Sequence, residues 1–134
     1  MKKLVKYAAF LLILGLTTLY SCDPNDVINP DEDVRAPYLG TWLCTEHSGM
    51  SYSVTVSLDQ TNSAQILIGN FHLYGASEKV YAIATTNNIT LPSQLICGNT
   101  VHGSGNLINA NKFTMKYYVN DQTTIDTVNA DYTK

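Results

Sequence analysis

Between Tyr52 and Asp59 the apolar side chains Val54, Val56 and Leu58 alternate with Ser53, Thr55 and Ser57. Successive side chains of a β-strand point to opposite faces, so a strict period of two marks a strand with one buried and one wet face. The same pattern returns where Phe113, Met115, Tyr117 and Val119 alternate with Lys112, Thr114, Lys116 and Tyr118. It returns again where Val128, Ala130 and Tyr132 alternate with Thr127, Asn129 and Asp131. From Tyr38 onward such stretches recur about every 12 residues, the spacing of an antiparallel all-β chain. Eight strands are expected, at 38–47, 52–59, 65–71, 79–86, 89–97, 100–108, 112–120 and 123–133. Asn62-Ser63, Gly75, Asn87-Asn88, Gly98-Asn99, Asn109 to Asn111 and Asn120-Asp121 lie between them. These residue types tolerate left-handed backbone and close tight turns. Pro92 interrupts the fifth strand and cannot donate to a ladder, which predicts a bulge or break there.

Eight short strands joined by tight turns can close on themselves, which removes the exposed sheet edges that invite aggregation. The expected fold is therefore an all-β, eight-stranded antiparallel up-and-down barrel, with an open β-sandwich of the same strands as the alternative.

The first 37 residues are of a different kind. Lys2, Lys3 and Lys6 precede a nine-residue apolar run, Ala8–Leu16. A membrane-spanning helix needs roughly 20 apolar residues, so this run reads instead as the core of a secretory signal. Leu19-Tyr20-Ser21-Cys22 resembles the lipobox of bacterial lipoprotein signal peptides, with Tyr20 in place of the usual small residue. The resemblance implies a signal peptide over 1–21 and a lipidated Cys22 carrying diacylglyceryl and acyl (palmitate-type) chains. Each buried methylene adds about 0.8 kcal/mol, and two or three chains anchor a protein stably where one does not. The expected location is the outer membrane, lipid-anchored, on its periplasmic or cell-surface face. Residues 22–37 hold the modified cysteine, three of the four prolines and five of the eleven acidic residues. That composition predicts an extended tether, leaving 38–134 as the barrel domain.

Without residues 1–21, five cationic side chains face eleven carboxylates, a net charge of −6. Such a chain offers no basic patch to a phosphate backbone, so nucleic acid is not an expected partner.

Gly40-Thr41-Trp42 opens the first strand. A GxW motif in that place resembles the lipocalin and wider calycin group, where the tryptophan packs across one end of the barrel. Residues 38–134 also resemble small lipocalin-like lipoproteins of Gram-negative bacteria, with Gly103-Ser104-Gly105 late in the domain and Tyr132-Thr133-Lys134 at its close. The resemblance implies binding of a small apolar or amphipathic ligand, with Tyr38, Trp42, Tyr52, Tyr74 and Tyr81 as its lining. An eight-stranded interior is just wide enough to be filled by side chains or to hold one small ligand. The second reading is thus a surface interaction or inhibitor module with a filled barrel, using the tether and the loops His47–Ser51 and Phe71–Ser77 to grip a protein.

Cys44 and Cys97 remain as an even pair in an oxidising compartment, each late in an odd-numbered strand and so toward one barrel end. A bridge between them would close a loop of about 50 residues, worth roughly 4 kcal/mol, provided that end is pinched enough to bring them together. His47, His72 and His102 fall near different strands without HxH or HExxH spacing, so they are expected to be structural rather than metal ligands. His102-Gly103-Ser104-Gly105 lacks the GxSxG spacing and strand-to-helix turn of a nucleophile elbow. No catalytic residue, metal or cofactor is expected, and the chain is read as a binding protein rather than an enzyme.

Overall fold

A computed structural model describes residues 33–134. The expected signal peptide, Cys22 and residues 23–32 of the expected tether lie outside the described residues. Eight strands run in order: β1 (Gly40–Glu46), β2 (Ser51–Leu58), β3 (Gln65–Gly69), β4 (Lys79–Ala84), β5 (Asn88–Ile96), β6 (Asn99–Asn109), β7 (Lys112–Asn120) and β8 (Ile125–Thr133). Each pairs antiparallel with its neighbour, and β1 pairs with β8, closing the barrel. The expected up-and-down barrel is thus the observed fold.

Alternation assigns the inside. Trp42, Cys44 and Glu46 of β1 face inward with Tyr52, Val54 and Val56 of β2 and Ile66 and Ile68 of β3, and all are buried. In β5 the parity changes: Ile89 and Leu91 are buried, then Ile96. The register shifts between Leu91 and Gln94, so the bulge expected at Pro92 is present. It leaves Tyr81 of β4, paired with Leu67 of β3, without a partner on β5, since β4 and β5 pair only at Ile83–Thr90 and Ala84–Ile89. The Gln94 side chain fills the gap. Tyr81 N–H donates to Gln94 Oε1 (2.9 Å), and Gln94 Nε2 donates to the carbonyls of Tyr81 (2.8 Å) and Pro92 (3.1 Å). A carboxamide has the donor and acceptor of a peptide group, so it can stand in for the missing ladder pair. Gln94→Leu should cost about 1–3 kcal/mol by leaving both Tyr81 backbone groups unpaired. Chemical denaturation would measure the loss, and hydrogen exchange at the Tyr81 amide should accelerate.

One end of the barrel is sealed by aromatic rings and two cations. Trp42 meets Phe113 edge-on at 4.7 Å, and Phe113 stacks on Tyr132 at 4.3 Å. Tyr38 and Trp42 are fully buried, and Trp42 Nε1 donates to the Tyr38 carbonyl at 2.7 Å. Lys134 Nζ lies 4.2 Å from the Trp42 ring centre and donates to the Leu39 carbonyl at 2.8 Å. Residues 33–37, expected to belong to the tether, instead fold against this closed end. Arg35 is buried, donating to the carbonyls of Asn62 and Gln65 (3.1 Å each) while its guanidinium also pairs with Asp33. A long cation that can satisfy loop carbonyls holds this segment down, which the acidic, proline-containing composition did not suggest.

The opposite end is the mouth. The connections His47–Met50, 70–78, Cys97-Gly98 and 121–124 all converge there, because alternate turns of a meander share an end.

Candidate functional site

The inward parity of β1 carries Trp42 at the closed end, Cys44 midway and Glu46 at the mouth. Glu46 is only 3 % exposed. A buried carboxylate costs several kcal/mol unless its oxygens are well bonded. Glu46 Oε1 accepts from the Tyr52 hydroxyl (2.7 Å) and the Tyr117 hydroxyl (3.0 Å), and His72 Nδ1 lies 3.0 Å away. An ionised carboxylate only accepts, so Nδ1 of His72 carries a proton. Ser48 Oγ donates to the second oxygen, Oε2, at a longer 3.3 Å.

The segment after β3 brings His72 over the mouth. Phe71 is fully buried with its ring 4.6 Å from Tyr117. Around it Asn70, His72 and Leu73 all have left-handed backbone, at φ 58°, 49° and 60°. For residues other than glycine such conformations cost on the order of 1–3 kcal/mol each and persist only where their surroundings impose them. Here the imposing contacts are the Phe71 stopper, the His72–Glu46 hydrogen bond and Asn70. The Asn70 side chain donates to the Ser53 carbonyl (2.8 Å) and accepts from Gly75 N–H (3.1 Å).

Burial would raise the Glu46 carboxyl, but hydrogen bonds from Tyr52, Tyr117 and His72, with the charge of His72, outweigh it and hold it below its ordinary range. Burial pushes the Tyr52 and Tyr117 phenols far up, so both stay protonated as donors. A carboxyl whose folded pKa is depressed contributes stability that is fully present above the unfolded value near 4.5 and is lost as pH falls through the folded one. The wild type should therefore lose more stability between neutral and acidic pH than Glu46→Gln does. Urea midpoints of both proteins on either side of that value check this, since the exposed aspartates titrate alike in both.

Glu46 and His72 form one wall of a cavity of about 300 Å³, shared with Ser48, Asp126, Thr127 and Asn129. Chemically the floor is a carboxylate-oriented imidazole. His72 Nε2 makes no hydrogen bond to a described residue, and Ser48 Oγ is turned to Glu46 rather than to His72. Among the described residues no three His, Cys, Asp or Glu side chains converge to hold a metal ion.

The residues named from the sequence are distributed differently. Tyr38 and Trp42 are packed into the closed end, and Tyr52 is a donor at the mouth. Tyr74 is half-buried beside His72, their ring centres 5.4 Å apart. Tyr81 lies on the outer face of β4, between the inward Val80 and Ala82. The five do not line one cavity. Cys44 and Cys97 do not share an end as expected: Cys44 lies midway along β1, Cys97 at the mouth, and both thiols are free. Cys44 is inside the barrel, where burial holds its thiol above the ordinary range. Cys97 is exposed in the two-residue turn joining β5 to β6, with Cys97 and Gly98 both at positive φ (49° and 80°). That geometry is a hairpin turn, and it projects Cys97 away from the interior. His102, expected to be structural, stacks on Tyr118 outside the barrel at 4.9 Å. His72 proves to be part of the mouth cluster, and Glu46 was missed. The signal for Glu46 was present: it shares parity with Trp42 and Cys44, an acid where the pattern calls for an apolar residue.

No protein-family model matches the chain, and no curated protein is similar enough to show a relationship. Among solved structures it is similar to one described as the structure of EF1p2_mFAP2b bound to DFHBI. The TM-score is 0.49 at 10% identity, over 76% of this chain and 97% of that one.

Proposed function

We propose that this chain is a lipid-anchored surface module whose filled barrel acts as a rigid scaffold, gripping a protein partner with its mouth. The observation that supports this most is the interior. Trp42, Tyr38, Tyr117, Tyr132, Phe71 and Phe113 are all less than 2 % exposed, and side chains of that size occupy the space that a barrel-held apolar ligand would need. The two loops expected to make the contact, His47–Ser51 and Phe71–Ser77, lie at one end and are tied together through Glu46 and His72. Met50, Leu73 and Ile125 stand exposed around that end, the apolar contribution that a polar recognition surface needs. The anchor on Cys22 would hold the barrel at the membrane, and the role is binding rather than catalysis.

Native mass spectrometry of the chain as isolated from cells, before and after exposure to a membrane lipid extract, tests the filled barrel. Only the mass of the chain with its own anchor should appear. A discrete additional lipid that survives desolvation would sink the reading in favour of ligand carriage. The anchor has its own test: Cys22→Ala should move the protein from the membrane to the soluble fraction.

A further inference from the structure

The chain enters the barrel at one fixed point. Arg35 is buried at the closed end, its Nη1 donating to the Asn62 and Gln65 carbonyls and its Nε and Nη2 to Asp33. The Ala36 N–H closes a turn on the Asp33 carbonyl at 2.8 Å. A guanidinium stays buried only where its donors are satisfied, so these bonds hold residue 33 at the end opposite the mouth.

Reach then decides which end meets a bilayer to which Cys22 is attached. Asp33 lies eleven residues beyond Cys22, and whatever path those residues take they cover at most about 40 Å. The strands are seven to eleven residues long, which at about 3.3 Å per residue places the mouth about 20–35 Å farther away. Laying the mouth on the bilayer would pull the connection nearly straight along the barrel wall, a state of very low conformational entropy. Setting the closed end down needs no such extension.

The surface of the closed end has matching chemistry. Val34 and Ile108 stand exposed on it, with Ala36, Pro37 and Ala110 exposed in the same two segments. Ile108 is there because of a bulge: Leu107 pairs with Phe113 and Asn109 with Lys112, leaving Ile108 as the extra residue. Bulges re-aim side chains, and this one gives an isoleucine to the rim. Lys134 links the two segments, its N–H donating to the Asn111 carbonyl (3.1 Å) and its Nζ to the Leu39 carbonyl (2.8 Å). Of the acids here, Asp33 and Asp131 are paired with Arg35 and Lys112, and Asp59 accepts from Thr61 of its own loop. Lys134 has no carboxylate partner among the described residues. The mouth is the reverse, with Glu78, Asp121 and Asp126 outside any ion pair among the described residues. A lipid interface accepts apolar side chains flanked by a long cation, and an anionic leaflet attracts lysine and repels carboxylates.

We propose that the closed end is a bilayer-docking surface, with Val34, Ile108 and Lys134 resting on the phospholipid headgroups and the mouth directed away from the membrane. This rests on the reading of Cys22 as the lipid anchor and adds to it a contact face and an orientation. The exposed Met50, Leu73 and Ile125 then point outward, toward a protein partner.

The test is NMR of the chain as isolated with its anchor, placed in nanodiscs of phosphatidylcholine and phosphatidylglycerol doped with a gadolinium-chelate headgroup lipid. Paramagnetic broadening is expected at Ala36, Ile108 and Asn111, and not at Gly49, Gly98 or Thr123. Val34→Glu combined with Ile108→Glu should weaken the closed-end broadening several-fold. A chain with residues 23–32 duplicated should keep the closed-end pattern, because the face and not the length of the leash sets it. Equal broadening at both ends, none at either, no change in the double variant, or loss of the pattern on duplication would overturn the proposal. Should the double variant fail to fold, the lengthened chain decides. Closed-end shifts that grow with protein concentration in detergent alone would assign the face to a second copy of the chain, and overturn it too. Intact mass separates the two readings: a Cys22 without lipid sinks the anchor and this surface with it, whereas a lipidated chain with no preferred end sinks this surface alone.

Discussion

Gly105→Val should leave no folded barrel, seen as loss of dispersed amide signals and of the cooperative thermal transition. Gly105 faces inward on β6, opposite Met115 of β7 and Ile89 of β5. A β-carbon there would stand 2.7 Å from Met115 Cγ and 3.2 Å from Met115 Cα, and it would run into the Thr114 carbonyl oxygen as well. The Met115 side chain can move; the backbone of a strand paired along its length cannot move cheaply. Gly103, two residues earlier, is blocked in the same way by Lys116 and Tyr117. These glycines let β6 and β7 approach closely while Tyr117 and Met115 occupy the interior. Gly105→Ala already imposes the collision, and overpacking of this kind costs typically 1–3 kcal/mol or more. Valine adds two methyls to it. Against a total stability of about 5–15 kcal/mol for a domain of this size, the alanine variant should fold with a lowered midpoint and the valine variant should not. A Gly105→Val protein with a wild-type transition would show that β6 and β7 can separate freely.

Trp42→Ala is the second large effect expected, about 3–5 kcal/mol from lost burial and the cavity left behind. For a domain of roughly 100 residues each kcal/mol lowers the thermal midpoint by about 4–8 °C, so a fall of about 12–40 °C is predicted. Trp42 is fully buried, with Phe113 against its ring and Lys134 Nζ 4.2 Å from the ring centre. Losing it also removes the donor to the Tyr38 carbonyl and the platform on which the last residue of the chain is held. Lys134→Met separates these contributions, keeping the stem that covers the ring while removing the charge. Its cost should be about 1 kcal/mol, the scale of a cation–π contact at a partly exposed site. A loss in Lys134→Met as large as in Trp42→Ala would mean that the lysine, not the indole, seals this end.

The ladder was legible because period-two alternation is a local property. Each strand was expected within a few residues of where it lies, and Pro92 announced its own bulge by lacking an N–H. What the bulge required in compensation was not legible. Gln94 completes the ladder only because the chain turns back to bring Tyr81 beside it, and nothing within either strand alone states that distance. The disulfide expectation failed for a related reason. Strand order suggested one end for Cys44 and Cys97, but Cys44 lies midway along the barrel interior and Cys97 in an exposed turn at the mouth.

The site followed the same division. Parity along β1 already directed Glu46 to the inside, so an anomalous acid could be read from the chain. Its partners come from β2, β7 and the segment after β3, separated in sequence by six, 71 and 26 positions. The sequence by itself determined the eight strands and, where alternation is clean in β2, β7 and β8, which face is buried, because these depend on neighbours within a few residues. Closure of the barrel, the filling of its interior and the gathering of Glu46, His72, Tyr52 and Tyr117 at one mouth were decided by tertiary structure. They depend on distances between remote segments, and only packing sets those.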